Sequence, residues 1–363
     1  MPRRLSVLAL VTDAFGGYGG IAQYNRDLLR ALADSALIER VIVLPRIAES
    51  GAASPWPKVV QAKPRYERLS YSLNALTAAS RKGPFDVIFC GHLYHAPLAG
   101  ALHRITGART WHQMHGIDAW DRPSRLVCSA LRHADLVTTV SRYTRKRMLE
   151  WASVSPERVR VLPNTVRSIF SAGPRSEATL AKFGLARAKI VLTVSRVAKT
   201  DVYKGHQRVI EAMVAVRKAE PEARYVIVGD GDGRVALQAL AERLSLGDTV
   251  RFLGRVDDND VVALYRSADA FVMPSVKEGF GIVFVEAAAC GLPVIAGNRD
   301  GSVDALADGA IGRLIDPLSQ DNLAKAMIDV LLHRPPAALA AVQRYTYPRF
   351  ADHVDALVRT LAA

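Results

Sequence analysis

The sequence predicts an α/β protein with two parallel-sheet domains, and three observations predict it. Short apolar runs rich in Val, Ile and Leu alternate with amphipathic stretches along the chain, the pattern of buried parallel strands joined by crossover helices. At 363 residues there is room for about two domains, and half of the residues are hydrophobic, enough for two cores. The alternation breaks over residues 163–185, where Pro163, Gly173 and Pro174 interrupt a stretch without a clear period; the interdomain linker is expected there.

In the first half, strands are expected over Leu5–Val11, Val41–Leu44, Val87–Cys90, Thr110–Gln113, Leu136–Val140 and Val159–Leu162. In the second they are expected over Ile190–Val194, Tyr225–Val228, Val250–Leu253, Ala270–Met273 and Val294–Ala296. The opening MPRRLSVLALVTDAFGG has the two arginines and apolar run of a signal peptide. The run is short, however, and leads into Thr-Asp and a glycine loop rather than a cleavage site, so a first buried strand is the better reading. No apolar stretch reaches the roughly 18–20 residues of a membrane-spanning helix. Cys90, Cys128 and Cys290 are too scattered for a disulfide framework or a zinc site, which points to reduced thiols and a cytoplasmic location.

The net charge of +13 is unevenly placed. Residues 1–170 carry 24 Lys/Arg against 12 Asp/Glu, whereas residues 171–363 carry 24 against 23. A basic half beside a neutral half points to an anionic partner: a membrane surface, a lipid diphosphate or nucleic acid. Against these stands the plainer reading of a solvated Arg-rich surface. The basic residues gather at Lys58–Arg68 with Arg81-Lys82, and at Arg142–Arg147. In the first cluster Tyr66, Leu69 and Tyr71 interleave with Lys63, Arg65 and Arg68, as an interfacial amphipathic segment would.

The most informative segment is PSVKEGFGIVFVEAAACGLP, Pro274 to Pro293. An apolar run precedes it, a Gly-Phe-Gly loop follows Glu278, and Ile282–Cys290 reads as a helix carrying Glu286. Strand, glycine loop and helix leave free N–H groups at a helix start, ready for an anion. Upstream, Arg196 follows an apolar strand and Lys204-Gly205 precedes an amphipathic helix, two cations suited to two phosphates. Lys199 lacks the flanking glycine and reads as solvated. Gly16-Gly-Tyr-Gly-Gly20 follows the first strand, but its spacing is not that of the dinucleotide fingerprint. WHQMHGIDAW (Trp111–Trp120) places His112 and His115 three apart; without Cys or an H-E-x-x-H arrangement they do not read as metal ligands. VIVGDGDGR (Val226–Arg234) lacks the later ligands of a calcium loop and reads as a strand-to-helix turn.

The pattern P-S-x-x-E-G-F-G-x-x-x-x-E-A-x-A-x-G-x-P-V resembles the donor-site signature of the retaining family 4 glycosyltransferases, which adopt the GT-B fold of two Rossmann-like domains facing each other across a cleft. The resemblance covers most of the chain, strongest over 190–315. It implies an acceptor-side domain over 1–168, a nucleotide-sugar domain over 169–344 and a terminal helix over 345–363 that crosses back to the first domain. It implies that Glu278 binds sugar hydroxyls and Glu286 the ribose. Arg196, Lys204 and the helix start after Gly281, with Ile282 and Val283, would stabilise the departing diphosphate, without a metal or cofactor. Gly19 and Gly20 would lie near the diphosphate and acceptor, and His115 would face the sugar across the cleft, with Asp118 as an acceptor-side partner. RFLGRV would present its backbone, with Val256, to the base. The donor is expected to be GDP-mannose or a UDP-hexose, and the acceptor a glycan or polyprenyl-diphosphate-linked saccharide, with peripheral attachment to the inner membrane face. Closure of the domains would exclude water. A sugar-nucleotide epimerase shares the layout but lacks the Glu-Gly-Phe-Gly pattern. A nucleic-acid-binding protein is the alternative prompted by the pI near 9.8, although no nucleic-acid-binding motif accompanies it.

Overall fold

Two units, each built on one all-parallel sheet, make up the computed structural model, which describes residues 3–49 and 51–363. One unit comprises the chain up to Thr165 together with Tyr347–Ala363; the other is Val166–Thr346.

The first unit contains β1 (Leu5–Val11), β2 (Ile38–Pro45), β3 (Val59–Gln61), β4 (Val87–Cys90), β5 (Arg109–Met114), β6 (Leu136–Thr139) and β7 (Val159–Val161). Their order is β3-β2-β1-β4-β5-β6-β7. All seven residues of β1 are buried, as helices on both faces of a parallel sheet require. The second unit contains β8 (Lys189–Val194), β9 (Ala223–Val228), β10 (Val250–Gly254), β11 (Ala270–Met273), β12 (Val294–Gly297) and β13 (Arg313–Ile315), ordered β10-β9-β8-β11-β12-β13. Strand order therefore reverses between β1 and β4 in one sheet and between β8 and β11 in the other. In doubly wound sheets, ligands bind beyond the carboxyl ends of strands at such a reversal.

The sequence reading missed β3 and β13. Each is a three-residue edge strand with a single buried residue, too little apolar pattern to register. The stretch read as linker is also more ordered than expected. It contains the helix Glu177–Lys182, whose N-cap Ser176 accepts from the Thr179 amide, and Arg266 holds Ser171 by its carbonyl at 2.8 Å.

The terminal helix spans Tyr347–Ala362 and buries Phe350, Val354, Val358 and Leu361, one apolar stripe. It packs on the helix Gly20–Asp34 within the first unit. Phe350 meets Tyr24 edge-on at 5.9 Å, Arg30 lies 3.8 Å over the Tyr347 ring, and Ser35 donates to Asp355 at 2.6 Å. Cys90 and Cys290 are buried free thiols and Cys128 is half-buried. Among the described residues no helix is long and apolar enough to cross a membrane.

Candidate active site

The loops after β8 and β11 flank the strand-order reversal of the second unit, and they clasp each other. Gly205 has φ +84°, and a Cβ there would come within 2.7 Å of the Pro274 carbonyl, so only glycine allows this approach. The Val276 amide donates to the Tyr203 carbonyl at 3.0 Å, and Arg208 reaches the Pro274 carbonyl at 3.3 Å. Between the two loops Lys204 Nζ sits 3.1 Å from Glu278 Oε2.

Lys204 ends the turn before the helix His206–Ala219, and Glu278 lies on the loop after β11. Their side chains are only 13% and 19% exposed, because the clasp closes over them. Burial alone would lower the Lys204 pKa, but the charge and hydrogen bond of Glu278, with Tyr203 and Asp201, together outweigh it and hold the ammonium above its ordinary range.

Arg196 is placed on the same loop, with its side chain 69% exposed. Its fork is already engaged: Nε donates to Asp201 Oδ2 at 2.6 Å and Nη2 to Oδ1 at 3.0 Å. Asp201 comes from the stretch Thr-Asp-Val-Tyr, folded here as part of the 3₁₀ turn Lys199–Lys204. Burial would raise the Asp201 pKa, yet the guanidinium holds it below the usual carboxylate range. One edge of Arg196 is thus aimed by Asp201, and Nη1 is the part of the fork that Asp201 does not hold. The Lys199 side chain is exposed, as a solvated lysine should be.

Glu278 is fixed from behind by Asp300, a buried residue the sequence reading did not single out. Asp300 Oδ2 accepts from Ser275 Oγ at 2.6 Å and from the Glu278 amide at 2.7 Å, and Oδ1 accepts from the Ser302 amide at 2.9 Å. A second unforeseen support lies beneath Lys204. His206 bridges Ser195 Oγ (2.8 Å) and the Tyr225 hydroxyl (3.0 Å), and burial holds its pKa at about 4, so the ring is neutral. The Gly-Asp-Gly-Asp-Gly turn packs against the same loop. A Cβ on Gly229 would lie 1.9 Å from the Ser195 carbonyl, and the Val197 amide donates to Asp230 at 3.1 Å.

Gly281 is the N-cap of the helix Ile282–Ala289, with φ +85° and no side-chain cap. On that helix Phe284, Val285, Ala287, Ala288 and Ala289 are buried, leaving Ile282, Val283 and Glu286 half-buried on one face. Tyr265 donates to Glu286 Oε2 at 3.4 Å. Val256 is half-buried between β10 and the helix that begins at Asp258. The structure thus brings Arg196, Lys204, Glu278, Gly281, Ile282, Val283 and Glu286 to one end of one sheet.

In the first unit, Gly19 caps the helix Gly20–Asp34 at φ +92°, and a Cβ on either Gly19 or Gly20 would meet nothing within 4 Å. Open space lies over that helix start. His115 follows β5; its Nε2 lies 2.9 Å from the Gly91 carbonyl, and its ring meets Tyr24 edge-on at 5.1 Å. Burial lowers its pKa to about 4, so the ring is neutral, Nε2–H donates and Nδ1 keeps the lone pair. Asp118 accepts from the His115 amide at 3.1 Å, a hydrogen bond within its own turn. His112 is fully buried, and neither ring nitrogen has a partner among the described residues.

The basic clusters also need correction. Tyr71 does not join the interfacial segment; it is buried and its hydroxyl donates to the Leu44 carbonyl at 2.8 Å. The helix Arg68–Arg81 instead exposes Leu69, Leu73 and Leu76, at i, i+4 and i+7, beside exposed Lys63, Arg65, Arg68, Arg81 and Lys82. In the second cluster Arg145 is spent on the Val159 and Pro156 carbonyls, and Arg147 on Trp120 and Glu150.

Two parallel α/β units with this ligand-binding geometry define a GT-B glycosyltransferase architecture. Residues 177–346 match the family model for glycosyl transferases group 1, and residues 18–168 match that for glycosyltransferase family 4. The chain belongs to the family 4 glycosyltransferases. It is 32% identical, over 69% of each chain, to a GDP-mannose-dependent α-(1-6)-phosphatidylinositol monomannoside mannosyltransferase of Mycolicibacterium smegmatis. It is 29% identical, over 89% of this chain and 88% of the relative, to the enzyme of Corynebacterium glutamicum that acts on the monoacylated lipid. Among solved structures, Anabaena HepE in complex with UDP superposes with a TM-score of 0.80 at 21% identity, covering 98% of this chain and all of that one. Sucrose-phosphate synthase of Thermosynechococcus elongatus does so equally well at 22% identity, covering 98% of this chain and 99% of that one.

Proposed function

We propose that this glycosyltransferase moves a mannosyl unit from GDP-mannose to a lipid-linked acceptor in cell-surface glycolipid or polysaccharide synthesis, with retention of anomeric configuration and without a metal. The observation that carries the reading is the Lys204–Glu278 pair, with Arg196 on the same loop and the uncapped helix start at Gly281 beside it. Positive ends aimed at the diphosphate stabilise charge where it develops as the sugar departs, the role a divalent ion plays elsewhere. In this scheme the C1–O bond to the diphosphate breaks while the acceptor oxygen bonds C1 on the same face. The acceptor proton goes to the departing phosphate oxygen, so no side chain acts as general base. Glu278 binds sugar hydroxyls, Glu286 the ribose hydroxyls, and the neutral His115 offers its Nδ1 lone pair to a sugar hydroxyl. The mannosyltransferase relatives support the choice of sugar, nucleotide and lipid acceptor. The basic, leucine-bearing face of the helix Arg68–Arg81 supports peripheral docking on an anionic membrane.

A thermal-shift panel of UDP-, GDP-, ADP- and dTDP-sugars tests the donor. A binder at 100 times its dissociation constant stabilises by about 2.7 kcal/mol. GDP-mannose should give the largest shift; a panel with no shift at all would remove the donor-site assignment.

A further inference from the structure

The chain passes between the two units twice, at Thr165–Val166 and at Thr346–Tyr347. The two crossings are joined where they meet the second unit. The Val166 amide donates to the Tyr345 carbonyl at 2.8 Å, and Val166 pairs with Thr346 as a parallel bridge. Neither crossing is a free tether, because a buried ring beside each packs toward the segment that carries Glu278 and Glu286. Next to the first, Phe170 meets Tyr265 edge-on at 5.8 Å, and Tyr265 is the residue whose hydroxyl reaches Glu286. Next to the second, Tyr345 meets Phe280 edge-on at 5.4 Å, with planes 75° apart.

Phe280 stands between Gly279 and Gly281, on the loop that joins Glu278 to the helix Ile282–Ala289. Glycine on both sides leaves that backbone little stiffness of its own, so the loop takes its position from what the Phe280 ring packs against. Tyr345 also holds the loop by a second route. Its hydroxyl donates to the Asp304 carbonyl, on the short helix Ser302–Ala305. Gly301, just before that helix, donates its amide to the Glu278 carbonyl at 2.8 Å. It lies so close to the loop that a Cβ there would stand 2.1 Å from the Gly279 carbonyl. One side chain beside the second crossing thus touches both the Glu278 loop and the segment that grips it.

We propose that Tyr345 is a positioning residue, which sets the Glu278–Gly281 loop and ties it to the paired crossings. A sugar nucleotide held on the loop then stiffens the crossings, and a disturbed crossing weakens the hold on the sugar nucleotide. The two effects are one coupling seen from its two ends, so they must be equal in free energy. An edge-on ring pair suits the task because its geometry is directional, and a shift of one ring is felt by the other. Residues of this kind lie away from the reacting atoms and act through the backbone they fix. This inference rests on the donor-site reading, in which Glu278 meets the sugar.

The test is hydrogen exchange at the Val166 amide of the full chain, read by mass spectrometry of short overlapping peptides. It is run with GDP-mannose, with UDP-glucose and with neither, beside thermal shifts on the same samples. In wild type, and in Tyr345→Phe, which keeps the ring, the sugar nucleotide that shifts the melt should slow Val166 exchange severalfold. Tyr345→Leu removes the ring. It should bind that sugar nucleotide roughly two- to tenfold more weakly, the size of one aromatic pair. At saturation it should leave Val166 exchange unchanged. Phe280→Leu breaks the same contact from the loop side and should behave alike, and it serves where Tyr345→Leu does not fold. A Val166 amide indifferent to sugar nucleotide in wild type, or as well protected in a leucine variant as in wild type, overturns the proposal. No thermal shift with either sugar nucleotide in wild type removes the donor reading, and this inference with it; a shift without protection removes this inference alone.

Discussion

Lys204→Ala and Glu278→Ala, alone and together, separate what the ion pair does for folding from what it does for catalysis. At 3.1 Å, with side chains 13% and 19% exposed, the pair lies between two limits. Removing one partner of a fully buried pair costs about 3–5 kcal/mol; a fully exposed pair contributes about 0–1 kcal/mol. Each single variant should therefore lose about 2 kcal/mol, because the surviving charge stays largely desolvated without its partner. For a unit of this size that lowers the melt by roughly 4–8 °C. The double variant removes both charges and should lose less than the sum, a coupling of about 1 kcal/mol in the cycle. Activity should not follow that recovery. Each single variant should turn over roughly a hundred- to thousand-fold more slowly, the usual effect of removing one charge stabiliser of a transition state. The double variant should be no faster. Melts by circular dichroism and release of nucleotide diphosphate under saturating donor give both axes. Near-wild-type turnover in either single variant, or a double variant faster than both, would make the pair a structural clamp and refute its catalytic assignment.

Transfer activity should persist in excess EDTA, since Arg196, Lys204 and a helix start supply the positive ends; loss with chelator and recovery only with magnesium or manganese would contradict this. Co-sedimentation with liposomes should rise with phosphatidylglycerol content, fall with salt, and drop severalfold in the Leu69→Ser, Leu73→Ser variant. Equal recovery in the supernatant with neutral and anionic vesicles at low salt would leave a soluble acceptor. The first unit should be acid-labile. Burial lowers the pKa of His92, His95, His112 and His115 to about 4, below the unfolded value near 6.5. The folded state then binds fewer protons than the unfolded chain between those values. This stability is complete above pH 6.5 and is lost toward pH 4, at about 1.4 kcal/mol per pH unit for each histidine. Asp118, raised by burial to about 7, acts in the opposite sense and offsets about one of the four. A His112→Phe variant should keep its melt at neutral pH and show a shallower acid slope; an unchanged slope would mean that His112 is not buried neutral.

Much of the local structure of the candidate site was legible because its parts are adjacent in sequence. Strand, glycine loop and helix from Ala270 to Ala289 follow from local apolar pattern and glycine placement, and local pattern is what a sequence displays directly. What could not be read is whatever depends on a partner brought in by the sheet. Asp300 lies 22 residues beyond the Glu278 amide it holds, on the loop after the neighbouring strand, with nothing in Asn-Arg-Asp-Gly to mark it. Asp201, on the loop after β8, has nothing beside it in the sequence to show that its carboxylate takes the Arg196 fork. Tyr71 illustrates the same limit in reverse. Leu69, Tyr71 and Leu73 alternate with serines in the sequence, but helical geometry sends Tyr71 inward to the Leu44 carbonyl and Leu69 and Leu73 outward. The strand-order reversals belong to this second class, since order in a sheet is not order in a chain. Once the two reversals are placed, residues with no common motif fall into two groups. At one stand the charged Arg196, Lys204 and Glu278, paired with Asp201 or with each other; at the other stand the glycine cap at Gly19 and the neutral His115.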